Sequence, residues 1–314
     1  MGISLPQAGV QATRENIIHM AQMAESEGFD SLWVFERLLW PVNPQTPYVA
    51  TPDGSLPEEY QIMLDPLETL TYVSANTNKI LLGTSVVDML FHNPVVLARR
   101  FASLDVFSQG RSIAGLGIGW SKDEFQSSNV PFNNKGKRAD EFVKVLKKIW
   151  TEENVDFKGQ YYNIPQSKIG PKPLQKPHIP IYLGGFSSNT VKRIVENELD
   201  GWLGIIGSMA PLDYVQNIIT NFKNEFVKAN KNKDSFKIIL LSYPDFKDNT
   251  SVNTNNANAV RPTLTGTIEQ IGEDIKKIKD LGVDHIIFGY NFLPLGKDID
   301  KMIDLTKQLS RFTR

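Results

Sequence analysis

The stretch from Asp65 to Glu124 limits the possible folds most, because it sets capped helices between strands too apolar to lie on a surface. Asp65-Pro66-Leu67-Glu68 opens a helix: Asp65 accepts from orphan N–H groups, Pro66 suits the first helical position, and Glu68 is placed to reach back and complete a capping box. The run Ile80 to Val87 then reads as a strand buried on both faces. Asn93-Pro94 repeats the cap logic and starts a helix through Ala98, Phe101, Ala102 and Leu104, which closes near Gly110 before a second buried strand, Ser112 to Leu116. Two parallel strands joined by a helix result.

The same alternation runs the length of the chain. Strands are predicted near residues 2–5, 31–36, 80–87, 112–117, 179–184, 200–206, 236–242 and 284–289, with helices near 13–27, 65–77, 94–108, 138–151, 188–197, 211–229, 267–281 and 297–311. Eight of each favour a closed barrel, and a barrel of about 250 residues plus insertions accounts for all 314 residues as one unit. The expected fold class is α/β: a (β/α)8 TIM barrel with insertion loops, a single domain over residues 1–314. Gly28-Phe29-Asp30 and Gly282-Val283-Asp284, with Leu199-Asp200-Gly201 as a looser copy, read as places where glycine ends a helix in a left-handed turn and the next apolar residue packs beneath the barrel. Three long connections interrupt the pattern, at residues 37–64, 152–178 and 244–264. The first and third follow strands directly, at the face where barrel active sites are built, and read as lids or walls; the middle one carries a short hairpin predicted over residues 155–162.

With 34 basic and 35 acidic side chains there is no overall field to gather nucleic acid or an anionic membrane, so a small-molecule partner is expected. The absence of cysteine excludes disulfides, thiolate metal sites and cysteine nucleophiles. No run approaches the roughly 18 apolar residues of a membrane helix, and Met1 to Pro6 is not a basic region leading into a long apolar one; the expectation is a soluble, cytoplasmic protein. His19, His92, His178 and His285 show no ligand spacing, so no metal site is expected. There is no Gly-x-Ser-x-Gly elbow and no phosphate loop ending in Gly-Lys-Ser or Gly-Lys-Thr, which argues against hydrolases and nucleotidases of those kinds.

Candidate chemistry gathers where predicted strands end. Thr84-Ser85-Val86-Val87-Asp88 turns from apolar to polar at the carboxyl end of the third strand. Gly115, Gly117 and Gly119 alternate into Trp120 after the fourth, and Gly117 and Gly119 would let the backbone approach a flat ligand; a dinucleotide fingerprint is disfavoured, since its third glycine is misplaced and no helix opens at once. Gly184-Gly185-Phe186-Ser187 runs into a helix carrying Lys192 and Arg193, an arrangement suited to a phosphate, against the alternative of an ordinary cap on a surface helix. Glu36 and Arg37 follow the second strand as site residues or as a structural ion pair. Trp40 and Trp120 stack beside a ring or pack a loop, and His92 lies on the active face as a catalytic or binding candidate.

Read together, these words resemble the bacterial luciferase-like superfamily of flavin and deazaflavin oxidoreductases over nearly the whole chain. The matching segments are Ala24 to Val34, Leu82 to Val86, His92 to Ala98 and Gly110-Arg111 through Leu116-Gly117-Ile118-Gly119-Trp120, with Gly184-Gly185 and Asp200-Gly201-Trp202 in the second half. The resemblance implies a (β/α)8 barrel with a cofactor ring at the carboxyl ends of the strands, backed by a bulge whose non-proline cis peptide joins Ser85 to Val86. It also implies that Gly184, Gly185, Phe186 and Ser187 hold the cofactor phosphate and that Arg138 and Glu141 border the site. Thr84-Ser85-Val86 and the wording around Gly117 to Phe125 are most similar to the branch that uses coenzyme F420, a 5-deazaflavin hydride carrier; that branch includes sugar-phosphate and alcohol dehydrogenases and a methylene-tetrahydromethanopterin reductase. In several of its dehydrogenases an acidic residue followed by histidine stands where this chain has Glu36-Arg37. Arginine keeps its proton near neutral pH, which suits Arg37 to anion binding or charge stabilisation and leaves Glu36 the better proton donor or acceptor.

The function expected on these grounds is hydride transfer between F420 and a small organic substrate, with Glu36, Arg37 and His92 as the catalytic candidates. The alternatives are a monooxygenase using reduced FMN and O2, and a non-catalytic flavin-binding barrel. A metal-free aldolase or isomerase is disfavoured, because barrels usually bind phosphate after strands seven and eight and the candidate here follows strand five. The resemblance also implies a homodimer, with which apolar side chains near Ile62 to Leu70 and Leu97 to Phe107 are compatible.

Overall fold

A computed structural model describes residues 1–207, 210–232, 236–247 and 261–313. Eight parallel strands close on themselves: β1 (Gly2–Ser4), β2 (Ser31–Val34), β3 (Leu81–Thr84), β5 (Ser112–Gly117), β8 (Ile181–Gly184), β9 (Gly201–Ile206), β10 (Lys237–Ser242) and β13 (His285–Phe288), which pairs back to β1. Eight helices surround them: α1 (Arg14–Ser26), α2 (Pro66–Ser74), α3 (Pro94–Phe107), α5 (Lys135–Thr151), α6 (Ser188–Glu196), α7 (Leu212–Lys228), α8 (Ile268–Asp280) and α9 (Ile299–Ser310). This is the (β/α)8 barrel that the sequence predicts.

The caps work as their residue types dictate. Asp65 accepts from the N–H groups of Leu67 (2.9 Å) and Glu68 (3.3 Å), and Asn93 from Val95 (2.9 Å) and Val96 (3.3 Å). The expected capping box at α2 is corrected: the Glu68 carboxylate pairs with Arg100 instead. Gly28 and Gly282 take φ of +84°, but in the third copy the left-handed residue is Glu198 (φ +51°), not Gly201. Gly201 serves packing, since a Cβ there would lie 2.1 Å from the Lys237 carbonyl. The aspartate common to the three segments has its own task. Asp30 holds the amino group of Met1, Asp200 accepts from Ile181 N–H (2.7 Å) and Asp284 from Ile238 N–H (2.8 Å), so each ties the foot of one strand to its neighbour.

The barrel interior is filled by Trp33, Ile113, Tyr182, Leu203, Ile239, Leu241 and Ile287. Gly83 makes room for Trp33, whose ring would lie 2.4 Å from a Cβ at that position. Trp33 donates to Ser31 Oγ (2.6 Å), which in turn lies 2.7 Å from His285 Nε2. Burial holds the His285 pKa down to about 3, so it stays neutral and belongs to the scaffold.

Three local expectations change. The strand predicted over 80–87 breaks after Thr84 and resumes as β4 (Val87–Asp88), which pairs with Leu116 and Gly117 of β5. The hairpin is longer than residues 155–162: β6 (Val155–Lys158) pairs with β7 (Asn163–Ser167). A short helix, α4 (Lys122–Ser127), was not foreseen. In the connection at 244–264, β11 (Asp245–Phe246) pairs in parallel with β12 (Thr265–Gly266) just past its end, while residues 248–260 lie outside the described residues.

Candidate active site

The break in the third strand is the centre of the barrel mouth. The Ser85–Val86 peptide bond is cis. Ser85 N–H donates to the Val34 carbonyl (2.6 Å) and Glu36 N–H to the Val86 carbonyl (3.0 Å), so the bulge stays zipped to the end of β2 and carries Glu36 beside it. Gln7, which the sequence reading missed, fixes that end from below: its buried amide donates to the carbonyls of Phe35 and Leu64 (both 2.9 Å) and accepts from Phe35 N–H (2.5 Å).

Glu36 is buried and uses both oxygens. Oε2 accepts from Asp88 N–H (2.8 Å), and Oε1 lies 2.7 Å from Nε2 of His92, two candidates thereby brought together. Arg37 points elsewhere. Its guanidinium meets Glu124 (2.7 Å) and Asp88 (3.4 Å), its Nε donates to the Glu36 carbonyl (3.1 Å), and it lies over the rings of Trp120 (5.0 Å) and Tyr60 (5.6 Å). The expected choice between an anion-binding Arg37 and a structural ion pair is thus corrected in part: the partners are Asp88 and Glu124, not Glu36. Burial disfavours the charge on Arg37, but Asp88 and Glu124 more than offset it and its pKa is raised.

Neither carboxylate was given a role from the sequence, Asp88 entering only as the polar end of the third strand, yet both have strongly raised pKa values. Burial pushes Asp88 up to about 6; Arg37 opposes and Glu36 adds to the rise. Burial likewise pushes Glu124 up to about 7, against Arg37 and the Leu38 N–H. The signal for Glu124 was legible: Ser121-Lys122-Asp123-Glu124 is a helix-start pattern, and Ser121 does cap α4 by accepting from Glu124 N–H (3.4 Å). The Glu124 side chain leaves the cap for Arg37.

The glycines after β5 also make room for neighbouring protein atoms. A Cβ on Gly117 would lie 2.2 Å from Asp88 Oδ1 and 2.6 Å from Val86 Cγ2, and one on Gly119 would meet the rings of Phe91 and Phe125. Their room is taken by protein atoms. Trp40 and Trp120 sit in the loop cluster with Tyr48, Tyr60 and Phe292, Trp40 donating to the Pro57 carbonyl (3.2 Å).

At the end of β8, Ser187 caps α6 by accepting from Thr190 N–H (3.2 Å), and Gly185 has φ +127° where a Cβ would press on Thr190. Phe186 is exposed and packs edge-on to Trp202, whose ring N–H donates to the Gly185 carbonyl (2.7 Å). Lys192 lines a cleft of about 300 Å³ with Phe186, Ser188 and Lys228. Arg193 is not available there: it is buried against Asp140 at 2.6 Å. Arg138 stacks on Tyr161 (4.6 Å), and Glu141 accepts from the N–H groups of Gln160, Tyr161 and Tyr162, so Glu141 organises the β6–β7 turn. Two buried side-chain atoms lack a partner among the described residues, Ser85 Oγ and Arg138 Nε. No group of side chains suited to a metal ion occurs among the described residues, nor a helix long and apolar enough to cross a membrane.

The site is thus a parallel barrel mouth with a carboxylate and imidazole pair beside a cis-peptide bulge at the carboxyl ends of the strands. The chain belongs to the luciferase-like monooxygenase family, whose profile matches residues 3–261. An uncharacterized protein of Mycobacterium tuberculosis is 35% identical over 184 residues, a match covering 58% of this chain and 65% of that protein, so the chain spans about two thirds of its length. An FMNH2-dependent dimethylsulfone monooxygenase of Pseudomonas putida is 26% identical over 67% of this chain and 72% of its own. An F420-dependent glucose-6-phosphate dehydrogenase of Amycolatopsis mediterranei is 31% identical over 54% and 46% respectively. The family therefore holds both F420- and FMN-dependent relatives of this chain.

Proposed function

We propose that the protein is an oxidoreductase passing hydride between coenzyme F420 and a small organic substrate, with Glu36 and His92 moving the accompanying proton. The observation that carries this reading is the 2.7 Å contact between Glu36 and His92 beside the Ser85–Val86 bulge. Hydride addition to a carbonyl carbon must be matched by a proton at its oxygen, and the reverse reaction by its removal. The Glu36 side chain is 3% exposed and that of His92 14%, so the carboxylate is shielded while the imidazole links it to solvent. Arg37, held by Asp88 and Glu124, fixes the surroundings and takes no proton.

The residues present fit the cofactor. The unpartnered Ser85 Oγ and the Val86 side chain would meet the ring, and Gly184, Gly185, Phe186 and Ser187 with the start of α6 would hold the phosphate. Bound F420 supplies a two-electron hydride carrier. Lys192 at the cleft beside α6 supports a longer anionic tail and so F420 over FMN, although Lys228 there is paired with Glu225 at 2.7 Å. The FMN monooxygenase remains the second reading, since the same phosphate residues serve both. Calorimetric titration of the apoprotein with each cofactor, oxidised and reduced, is expected to show tighter binding of F420, weakened about tenfold by Lys192→Glu at low salt. Selective binding of reduced FMN would replace this reading, and binding of neither would end both.

We also propose a homodimer through the face around α2 and α3, where Ile62, Leu64, Tyr72, Val96 and Phe107 are exposed while Leu67, Leu70 and Leu97 are committed to the core. Sedimentation equilibrium is expected to give twice the chain mass of 35.3 kDa, and Phe107→Glu to shift it toward the monomer. A monomer at all concentrations would refute it.

A further inference from the structure

A cleft of about 520 Å³ opens on the far side of the mouth, lined by Tyr48 and Pro57 from the loop after β2, Ile205 and Ile206 at the end of β9, Tyr243 after β10 and Phe292 after β13. Its size is that of a small-molecule site. It shares the floor of the mouth with the bulge: Ile205 and Tyr243 of its lining rest on the interior cluster, as Val86 does, and Phe292 lies 5.5 Å from the ring of Phe35, the residue before Glu36.

The lining is nearly free of charge. Its single charged side chain among the described residues is Asp245, which is exposed and paired with Lys247 at 2.9 Å. The nearby cations are engaged: Arg37 by Asp88 and Glu124 behind the rings of Tyr60 and Trp120, and Arg261 by Asp274 at 2.7 Å. A phosphate or carboxylate entering here would lose its water without gaining a free cation. One polar group is uncommitted: the Tyr243 hydroxyl bonds to no described residue, whereas Tyr48 and Tyr60 hydroxyls bond each other at 3.0 Å. Burial raises the Tyr243 pKa and keeps the phenol proton in place as a donor.

We infer that this cleft holds the body of the substrate, an uncharged and largely apolar ketone or alcohol with an oxygen that accepts from the Tyr243 hydroxyl, and that it rejects sugar phosphates. The inference rests on reading the barrel mouth as the reaction site. It separates this chain from a glucose 6-phosphate enzyme by the charge of the cleft.

The test is ligand-detected NMR and calorimetry on the purified protein, alone and saturated with whichever of F420 or FMN binds, using cyclohexanone, cyclohexanol and glucose 6-phosphate as probes. Saturable binding of an uncharged probe is expected, weakened about fivefold by Tyr243→Phe and at least tenfold by Ile205→Glu, with unchanged circular dichroism and melting confirming that both variants fold. Glucose 6-phosphate is expected not to bind. Tighter binding of glucose 6-phosphate, binding insensitive to both variants, or no binding of either uncharged probe would overturn the inference. Because the readout is binding to the protein itself, a protein that selects FMN sinks the F420 reading and leaves this one. A protein that binds F420 and glucose 6-phosphate does the reverse.

Discussion

Glu36→Gln is expected to lower kcat by about 10²- to 10⁴-fold, the range that a positioned proton-transfer group contributes, while cofactor affinity changes by less than about threefold. Glutamine keeps the shape of the side chain, and its carbonyl oxygen can still accept from Asp88 N–H, now 2.8 Å from Glu36 Oε2. What it loses is the carboxyl group that can take and give a proton beside His92. His92→Asn should give a smaller loss, because the buried carboxylate remains but its connection to solvent is gone. Steady-state kinetics on the first carbonyl or alcohol found to turn over would decide it. Activity within tenfold of the parent in Glu36→Gln would remove Glu36 from the chemistry and reduce its role to holding the Val86 and Asp88 backbone.

Much of the scaffold could be read from the chain because short-range chemistry specifies it. Asp65-Pro66 and Asn93-Pro94 cap where their side chains must, and the unbroken apolar runs mark strands covered on both faces. The break after Thr84 was invisible to periodicity, since Val86 and Val87 continue the apolar run across it; only the resemblance pointed to Ser85–Val86. Glu36 and His92 were each legible as polar residues beyond strands, yet their contact spans 56 positions, and no local pattern carries that information. The same holds for Arg37. Its neighbour in sequence, Glu36, looked like its partner, while its actual partners Asp88 and Glu124 arrive from β4 and from helix α4. Glycine was an ambiguous guide. Gly117 and Gly119 look like ligand contacts in sequence, and the space their missing side chains leave is used by Asp88, Val86 and two phenylalanine rings. A missing Cβ records a close approach without saying whether protein or ligand makes it.

Arg37→Met is expected to destabilise the fold by about 3–5 kcal/mol at pH 8 and by clearly less at pH 5, because it leaves two buried carboxylates without their cation. In the parent, Asp88 rises from 3.8 to about 6 and Glu124 from 4.5 to about 7 on folding, both chiefly through burial. An acid whose folded pKa is raised stabilises the fold fully below its unfolded pKa, and that contribution is lost as pH climbs through the folded value. For these two groups the loss falls between about pH 4 and 7. Above that window both are charged and Arg37 is what compensates them; below it both hold protons and need no cation. The stability gap between parent and Arg37→Met should therefore widen steadily from pH 5 to pH 8 in urea unfolding. Adding Glu124→Gln to Arg37→Met should recover part of the loss at pH 8 and little at pH 5, since it deletes one of the stranded charges. A gap below about 1 kcal/mol, or one that does not move with pH, would mean that Asp88 and Glu124 are already protonated at neutrality. Arg37 would then owe its place to its contacts with Trp120 and Tyr60 and to the loop they anchor over the mouth.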